Sequence, residues 1–280
     1  MGKSSKKVAP LSQTHQVDPS GVAVSVPVKK SHDEMNYPFV SVVTPTYNRR
    51  RFIPYLIQLY KQQTYPSRRM EWIILDDGQD KVGDLFVEAA KTIPNIRYIP
   101  LEEKLTIGAK RNRLNEEAKG DILVAMDDDD YYPPERVYAC VKAFKQYPSI
   151  ELAGSTEIYM YYTDIKAIYK LGPYNPNHAT NGTMAWRASY AKSHRYDEQV
   201  THAEEKSFLD DYKNKMIQLD PFKVMLVMSH SENTFDKKKM REQEEEMRKA
   251  GQKNPVVQKT TMKIKDFIKE KALREFYADA

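Results

Sequence analysis

Between Asp121 and Glu135 the chain reads DILVAMDDDDYYPPE, an unbroken apolar run from Ile122 to Met126 that leads straight into four aspartates. An apolar run without alternation is the pattern of a strand covered on both faces, and such strands are usually parallel. Pro133 and Pro134 suit the first turn of a helix, and Val137, Cys140, Val141 and Phe144 then recur at helical spacing. The acidic run therefore falls between the carboxyl end of a buried strand and a helix, which is where open α/β sheets bind ligands.

Asp127, Asp128, Asp129 and Asp130 repel one another. They make either a solvated acidic turn or a site in which a divalent cation relieves the repulsion. Carboxylate oxygens with open coordination positions suit magnesium or manganese, and substrate phosphates commonly complete such sites. A phosphate ester is the ligand this strand end predicts.

The segments upstream repeat the pattern. Phe39 to Val43 reads as a strand, followed by a helix with Phe52, Leu56, Leu59 and Tyr60 inward and Pro54 in its first turn. Glu71 to Leu75 is a second strand and Val82 to Lys91 a helix. Ile96 to Ile99 is a third strand, and Gly108 to Lys119 a helix that Gly120 would end in the left-handed position after the cap. Four strands separated by three helices predict βαβ units, a mainly parallel sheet and right-handed crossovers.

Beyond Tyr147 the segments become longer and aromatic-rich. Glu151 to Tyr162 and Ile165 to Leu171 are strand-like and read as a second, mixed part of the same sheet. Residues 172–183 form a loop long enough to bind a ligand. Thr183 to Trp186 reads as a short strand, Glu204 to Tyr212 as a helix and Phe222 to Met228 as the last strand. A charged helix runs from Phe235 to Lys249, and Met262 to Phe276 has an imperfect helical period; one of these two packs on the body or on a partner.

With 280 residues, 40% of them hydrophobic, the chain can bury one substantial core. Residues 1–36 mix Lys, Ser, Pro and single valines and are expected to be a disordered basic tail, transiently extended over Val22 to Val28. The tail is either solvated or drawn to an acidic surface or membrane. The net charge of +5 owes much to Lys3 to Lys7 and Lys237 to Arg241, which excludes a dedicated nucleic-acid binder. A single cysteine, Cys140, forbids an intramolecular disulfide and fits a reducing compartment. No apolar run nears the roughly 18 residues of a membrane span, and the first 30 residues lack a signal peptide's apolar centre. The expected location is cytoplasmic, with peripheral membrane attachment left open.

Pro45-Thr46-Tyr47-Asn48 follows the first strand, Asp76-Asp77-Gly78 the second and the aspartate run the fourth. With these three motifs in order, the chain resembles family 2 glycosyltransferases of the GT-A fold over about Phe39 to Asp236, most strongly up to Glu135. The resemblance implies an α/β, Rossmann-like, mainly parallel sheet flanked by helices, with a smaller mixed acceptor-side region and a helical carboxyl-terminal tail. The domain would span 37–235, its nucleotide-binding half 37–147 and its acceptor half 148–235, with 236–280 a charged helical extension.

The same resemblance implies site residues. Pro45 and Tyr47 would frame the nucleotide, Tyr47 stacking on the base and Asp77 accepting a hydrogen bond from it. A carboxylate suits the imide N–H of uracil, and thymine presents the same edge. Otherwise Tyr47 is core and Asp77 a turn residue. The family's Asp-x-Asp signature maps onto Asp127, Asp128 and Asp129. Asp129 would contact the metal and Asp127 the ribose or the metal, with the register open by one. Lys110 and Arg111 would lie near the diphosphate, or on a solvated helix face. The general base would come from Glu204-Glu205, where relatives carry Glu-Asp; Glu205 takes the usual position and Glu204 stays a candidate. His230 would be a metal ligand favouring Mn2+ over Mg2+, or a merely exposed or hydrogen-bonded histidine. His178, Asn181 and Thr183 would touch the donor sugar or the acceptor.

The implied partners are a nucleotide-sugar donor, UDP-linked, and a glycan, lipid or protein acceptor with a free hydroxyl. Two rival readings are a nucleotidyltransferase, which would carry a glycine-rich loop where this chain has PTYNRRR, and a non-catalytic carbohydrate- or partner-binding protein on a degenerate scaffold, which the Glu-Glu substitution keeps open.

Overall fold

A computed structural model describes residues 13–17, 23–27, 37–200, 203–231, 233 and 237–280. The chain divides into two units, 1–37 and 38–280. In the first, where a disordered tail was expected, β1 (Gln13–Val17) and β2 (Ala23–Pro27) pair antiparallel, with Val17 opposite Ala23. The rest of residues 1–36 lies outside the described residues.

In the second unit the elements follow as β3 (Val40–Thr46), α1 (Ile53–Lys61), β4 (Met70–Asp76), α2 (Gly83–Ala90), β5 (Ile96–Pro100), α3 (Ile107–Glu117), β6 (Ile122–Ala125) and α4 (Arg136–Gln146). β3, β4 and β6 are buried at every position, as strands between two helix layers should be, with Ser41, Thr44 and Glu71 among the buried residues. β3 pairs parallel with β4 on one side and β6 on the other, and β4 pairs parallel with β5. The chain thus winds outward from β3 through β5 and then returns to the other side of β3. That reversal opens a crevice at the carboxyl ends of β3 and β6.

Then come β7 (Leu152–Gly154), β8 (Ile158–Tyr162), β9 (Ala167–Leu171), β10 (Ala185–Arg187), α5 (Ala188–Ala191), α6 (Glu205–Phe208), β11 (Met216–Gln218), β12 (Leu226–Ser229), α7 (Lys238–Lys249), β13 (Val257–Lys259), α8 (Ile264–Phe267) and α9 (Lys271–Asp279). Among the described residues the main sheet runs β11-β7-β10-β6-β3-β4-β5, with β10 antiparallel to both neighbours. The mainly parallel sheet flanked by helices is therefore as expected.

Several details differ. The segment 151–162 is not one strand: it breaks after Gly154, sending β7 into the main sheet and β8 into a second sheet ordered β12-β8-β9-β13. The last strand is β13, not the segment ending at Met228, and β12 starts only at Leu226 because Pro221–Lys223 forms a 3-10 turn. The expected helix 204–212 is cut to α6, since Asp210, Asp211 and Tyr212 turn left-handed with φ of 47°, 53° and 62°. The expected helix start at Phe235 lies outside the described residues. Gly120 does not cap α3, whose cap is the extended Ala118. A Cβ on Gly120 would lie 2.5 Å from the Ser41 nitrogen, and its own N–H donates to Ser41 Oγ at 2.8 Å, so the close approach to β3 requires glycine.

Two packings bear on the crevice. Arg136 is wholly buried at the start of α4 and donates to the carbonyls of Ala125, Gly182 and Met184, tying the end of β6 to the 181–184 turn. At the far end of the chain, α9 buries Leu273 and Tyr277 and stacks Phe276 on Tyr55 of α1 at 3.5 Å. Cys140 is buried in α4, as its spacing predicts. Among the described residues no helix is long and apolar enough to cross a membrane.

Candidate active site

The carboxyl ends of β3 and β4 form one side of the crevice. Asn48 takes φ of 53°, a left-handed conformation that Asn tolerates, and its Oδ1 accepts from the N–H groups of Gln79 and Asp80 at 2.7 and 3.1 Å. The first two motif loops are thereby fastened together. A cavity of about 540 Å³ opens beside them, lined by Tyr47, Asp77, Gly78, Gln79, Lys81, Glu102 and Lys104. Lys104 Nζ lies 4.1 Å from the centre of the half-buried Tyr47 ring. Asp77 is buried; its Oδ1 accepts from Lys110 Nζ at 2.7 Å and its Oδ2 from the Leu105 N–H at 2.8 Å. Each carboxylate oxygen keeps a lone pair for a ligand. Pro45 is buried within β3 and faces Leu75 in register.

Lys110 is thus committed to Asp77 at the Tyr47 end rather than to the aspartate run. Arg111, one residue on, points the other way: buried in α3, it donates from Nε to Glu204 Oε1 at 2.9 Å and from Nη1 to Asp127 Oδ1 at 3.1 Å. Neither side chain lies on a solvated helix face.

Within the aspartate run the four carboxyls part company. Asp130 turns inward and accepts from the Met228 N–H at 2.7 Å, and burial pushes its pKa well above the usual carboxylate range. Asp127, Asp128 and Asp129 stay half-buried at the crevice. Burial and the neighbouring Asp129 push Asp128 up to about 7, against the pull of Arg49. For Asp129, burial acts upward but is outweighed by the hydrogen bond from His230 and the charges of Lys237 and Arg49, which hold it at about 2. Arg49 reaches both, 3.7 Å from Asp128 and 3.7 Å from Asp129.

His230 is buried at the end of β12, its ring 4.9 Å from that of Phe52 and its Nε2 3.1 Å from Asp129 Oδ2. Neighbouring ligands of an octahedral cation, each at about 2.1 Å, sit about 3 Å apart, so this pair matches two positions on one Mg2+ or Mn2+. Among the described residues no group of three His, Cys, Asp or Glu side chains could hold a metal ion. The donor set therefore fits a cation that the protein holds by two groups and a phosphate-bearing ligand completes.

The acidic pair on the other wall divides its roles. Glu204 is engaged by Arg111. Glu205 begins α6, and among the described residues no side chain hydrogen-bonds its carboxylate; burial, then the charge of Glu204, raise its pKa to about 7.

The carboxyl end of the 172–183 loop packs against the aspartate run. Tyr196 donates to Asn181 Oδ1 at 2.7 Å, while Asn181 Nδ2 is buried with no partner among the described residues. Gly182 packs so closely that a Cβ would come 3.1 Å from Asp127 Oδ2. Thr183 is wholly buried, accepting from the Ser155 N–H and donating to the Thr180 carbonyl, so it holds the turn rather than facing a ligand as expected. His178 sits between the rings of Tyr174 and Tyr212, at 4.6 and 5.1 Å.

Arg49, Asn233 and Lys104 were missed at the sequence level. Asn233 Nδ2 donates to Asp129 Oδ2 at 3.2 Å and lies 2.9 Å from His230 Nε2. The Arg49-Arg50-Arg51 triplet was a signal for the first, but nothing in it separates Arg49 from Arg50, which pairs with Asp80 and Asp84 at the surface.

The family model Glycosyl transferase family 2 matches residues 41–197. An uncharacterized glycosyltransferase of Haemophilus influenzae is 33% identical over 112 residues, 40% of this chain and 36% of that protein. The putative teichuronic acid biosynthesis glycosyltransferase TuaG of Bacillus subtilis is 32% identical over 101 residues, 36% of this chain and 39% of that protein. The chain thus spans well under half the length of these two relatives. Among solved structures, Staphylococcus aureus TarS 1–349 in complex with UDP-GlcNAc superposes with a TM-score of 0.57 at 19% identity, over 69% of this chain and 59% of that one. The mannosyltransferase PcManGT from Pyrobaculum calidifontis, in complex with GDP-Man and Mn2+, superposes with a TM-score of 0.56 at 16% identity, over 71% and 59%. Both share the GT-A fold.

Proposed function

Since this chain belongs to glycosyl transferase family 2, we propose that it transfers a sugar from a UDP-linked donor to an acceptor hydroxyl in one in-line displacement with inversion. The observation that carries the reading is the division between Glu204 and Glu205: one carboxylate is neutralised by Arg111, while the other, held near neutrality, is left to take a proton.

The base of the nucleotide stacks on Tyr47 in the cavity, and its imide N–H donates to Asp77, which Lys110 and the Leu105 N–H hold in place. The ribose and diphosphate then run towards Asp127 to Asp129. Mn2+ or Mg2+ held by Asp129 and His230 would neutralise charge on the diphosphate. Glu205 removes the acceptor's hydroxyl proton. The acceptor oxygen forms its bond to the anomeric carbon as the bond from that carbon to the diphosphate oxygen breaks, and the electron pair leaves with UDP. Binding the donor at both ends positions the anomeric carbon for attack from the Glu205 side.

A carboxylate acceptor in the base cavity suits the imide N–H of uracil as it would the N1–H of guanine, and support for uridine comes from TarS, whose structure holds UDP-GlcNAc. PcManGT holds GDP-Man, so the test sets the two nucleotides side by side. The melting temperature of the purified chain is measured with UDP, GDP and their sugar conjugates, with and without Mn2+. A Mn2+-dependent rise with UDP ligands above that with GDP ligands supports the reading. A folded chain that no nucleotide stabilises overturns it in favour of the degenerate scaffold.

A further inference from the structure

Tyr174 and His178 come from the 172–183 loop and Tyr212 from the segment after α6, yet the three rings gather in one cluster, with centroid separations of 4.6 and 5.1 Å. Tyr174 remains 41% exposed. The loop is held in place by Gln218, whose Nε2 donates to the carbonyls of Pro176 and His178. Asn177 Nδ2 donates to the Tyr212 carbonyl at 3.1 Å, clamping the two segments together.

Tyr212 is the third of three consecutive non-glycine residues with left-handed φ. Such backbone persists only where the surroundings overdetermine it, and it tends to occur where a ligand must be met. The turn is continuous with α6: the Asp211 N–H donates to the Lys206 carbonyl, one residue past Glu205. Burial, then the charges of Glu205 and Asp211, push the Tyr212 hydroxyl pKa upward. The strained turn thus ties the Tyr212 segment to the helix that the proposed base begins.

We propose that the Tyr174, His178 and Tyr212 cluster is an acceptor subsite for a pyranose ring, so that the acceptor is a glycan. This rests on the transferase reading for its name but not for its binding chemistry. A pyranose presents a flat face of C–H groups surrounded by hydroxyls. The exposed Tyr174 ring, with the half-buried His178 and Tyr212 rings packed in the same cluster, matches the first, and the exposed Asn175 amide of the same loop matches the second. Burial lowers the His178 pKa, so its ring is neutral, as suits stacking against an uncharged sugar. An acyl chain would find polar amides at the rim, and a linear polyol lacks a face to stack.

The test is saturation-transfer NMR on the full chain with methyl pyranosides, and with ribitol and a serine-containing peptide as the other acceptor classes. Saturation of the C–H face of one or more pyranosides is expected, with affinity about tenfold lower in Tyr174→Ala. Tyr174 is exposed enough for that variant to fold; His178→Ala is the second variant, and unchanged melting temperatures verify both. Binding of ribitol or peptide instead of pyranosides, or equal pyranoside binding by wild type and Tyr174→Ala, overturns the proposal. Nucleotide binding is read separately: pyranoside saturation without UDP binding would sink the transferase reading alone, and UDP binding without pyranoside saturation would sink the subsite alone.

Discussion

The Arg111 guanidinium stands between Asp127 and Glu204, 3.1 Å from a carboxylate oxygen of one and 2.9 Å from one of the other. The aspartate run at the end of β6 and the acidic pair at the start of α6 are therefore one electrostatic unit, although 77 residues separate Asp127 from Glu204 in sequence. Burial disfavours the charged guanidinium, but the two acids outweigh it and push its pKa up.

Removing that cation should leave two carboxylates unpaired in a closed site. For Arg111→Met the expected loss of folding stability is about 3–5 kcal/mol, the cost of breaking a buried ion pair from one side. Arg111→Lys should recover only part of it, since a lysine's donors all sit on one nitrogen, whereas Arg111 reaches Glu204 and Asp127 from two. Urea unfolding of the three proteins is the measurement, and a loss below about 1 kcal/mol for Arg111→Met would show that the bridge carries little.

Glu205 gives a pH dependence with a definite sign. Its folded pKa is raised from 4.5 to about 7, so transfer should rise with pH through about 7 as the base deprotonates. Stability runs the other way: the folded state binds the extra proton, so its contribution is full below 4.5 and is lost as pH climbs towards 7. Glu205→Gln should bind UDP like wild type, lose most transfer and unfold with a flatter pH dependence between those limits. Transfer near the wild-type rate in that variant would place the base elsewhere.

How much of this was legible in sequence depends on whether a residue's position is set by local pattern or by packing at a distance. The parallel core and its strand ends were readable because β6 is apolar throughout and β3 and β4 carry apolar runs, each leading into a polar motif. The division at Ser155-Thr156-Glu157 was not, since Gly154 just before it is a lone glycine in a strand-like run and does not announce a change of sheet, and the left-handed run Asp210-Asp211-Tyr212 lacks the glycine that usually announces such backbone. Lys110 and Arg111 were singled out as a pair for one place near the diphosphate, but adjacent positions on a helix differ in direction by about 100°. Only the three-dimensional structure sends one to Asp77 and the other to Asp127.

The Asp129 and His230 pair predicts how UDP binding responds to metal. Wild-type affinity for UDP should increase with Mn2+ and return to its metal-free value when the ion is chelated. In Asp129→Ala the two values should coincide, and in His230→Ala the gain should shrink by about tenfold, the scale on which loss of a metal-site contact is felt. Isothermal titration with and without Mn2+ reads all three. An undiminished Mn2+ response in Asp129→Ala would move the ion to Asp127 or Asp128.

The carboxyl-terminal helix makes the last prediction, because its contacts run into the site rather than away from it. Phe276 stacks on Tyr55 and meets Phe52 edge-on at 5.5 Å, and Phe52 in turn packs on the His230 ring at 4.9 Å. Tyr277, buried on the same helix, donates its hydroxyl to the Asp130 carbonyl at 3.1 Å. Tyr277→Phe keeps the ring and deletes one buried hydrogen bond, so it should cost about 1–3 kcal/mol and leave the core intact. Leu273→Ala, also buried on α9, should cost about 2–5 kcal/mol by opening a cavity. If α9 is part of the catalytic body, both variants should melt in a single transition at lower temperature, and Tyr277→Phe should also weaken the Mn2+-dependent part of UDP binding through Asp130 and its neighbour Asp129. A separate low-temperature transition, with Mn2+-dependent binding untouched, would mark residues 271–280 as an independent appendage.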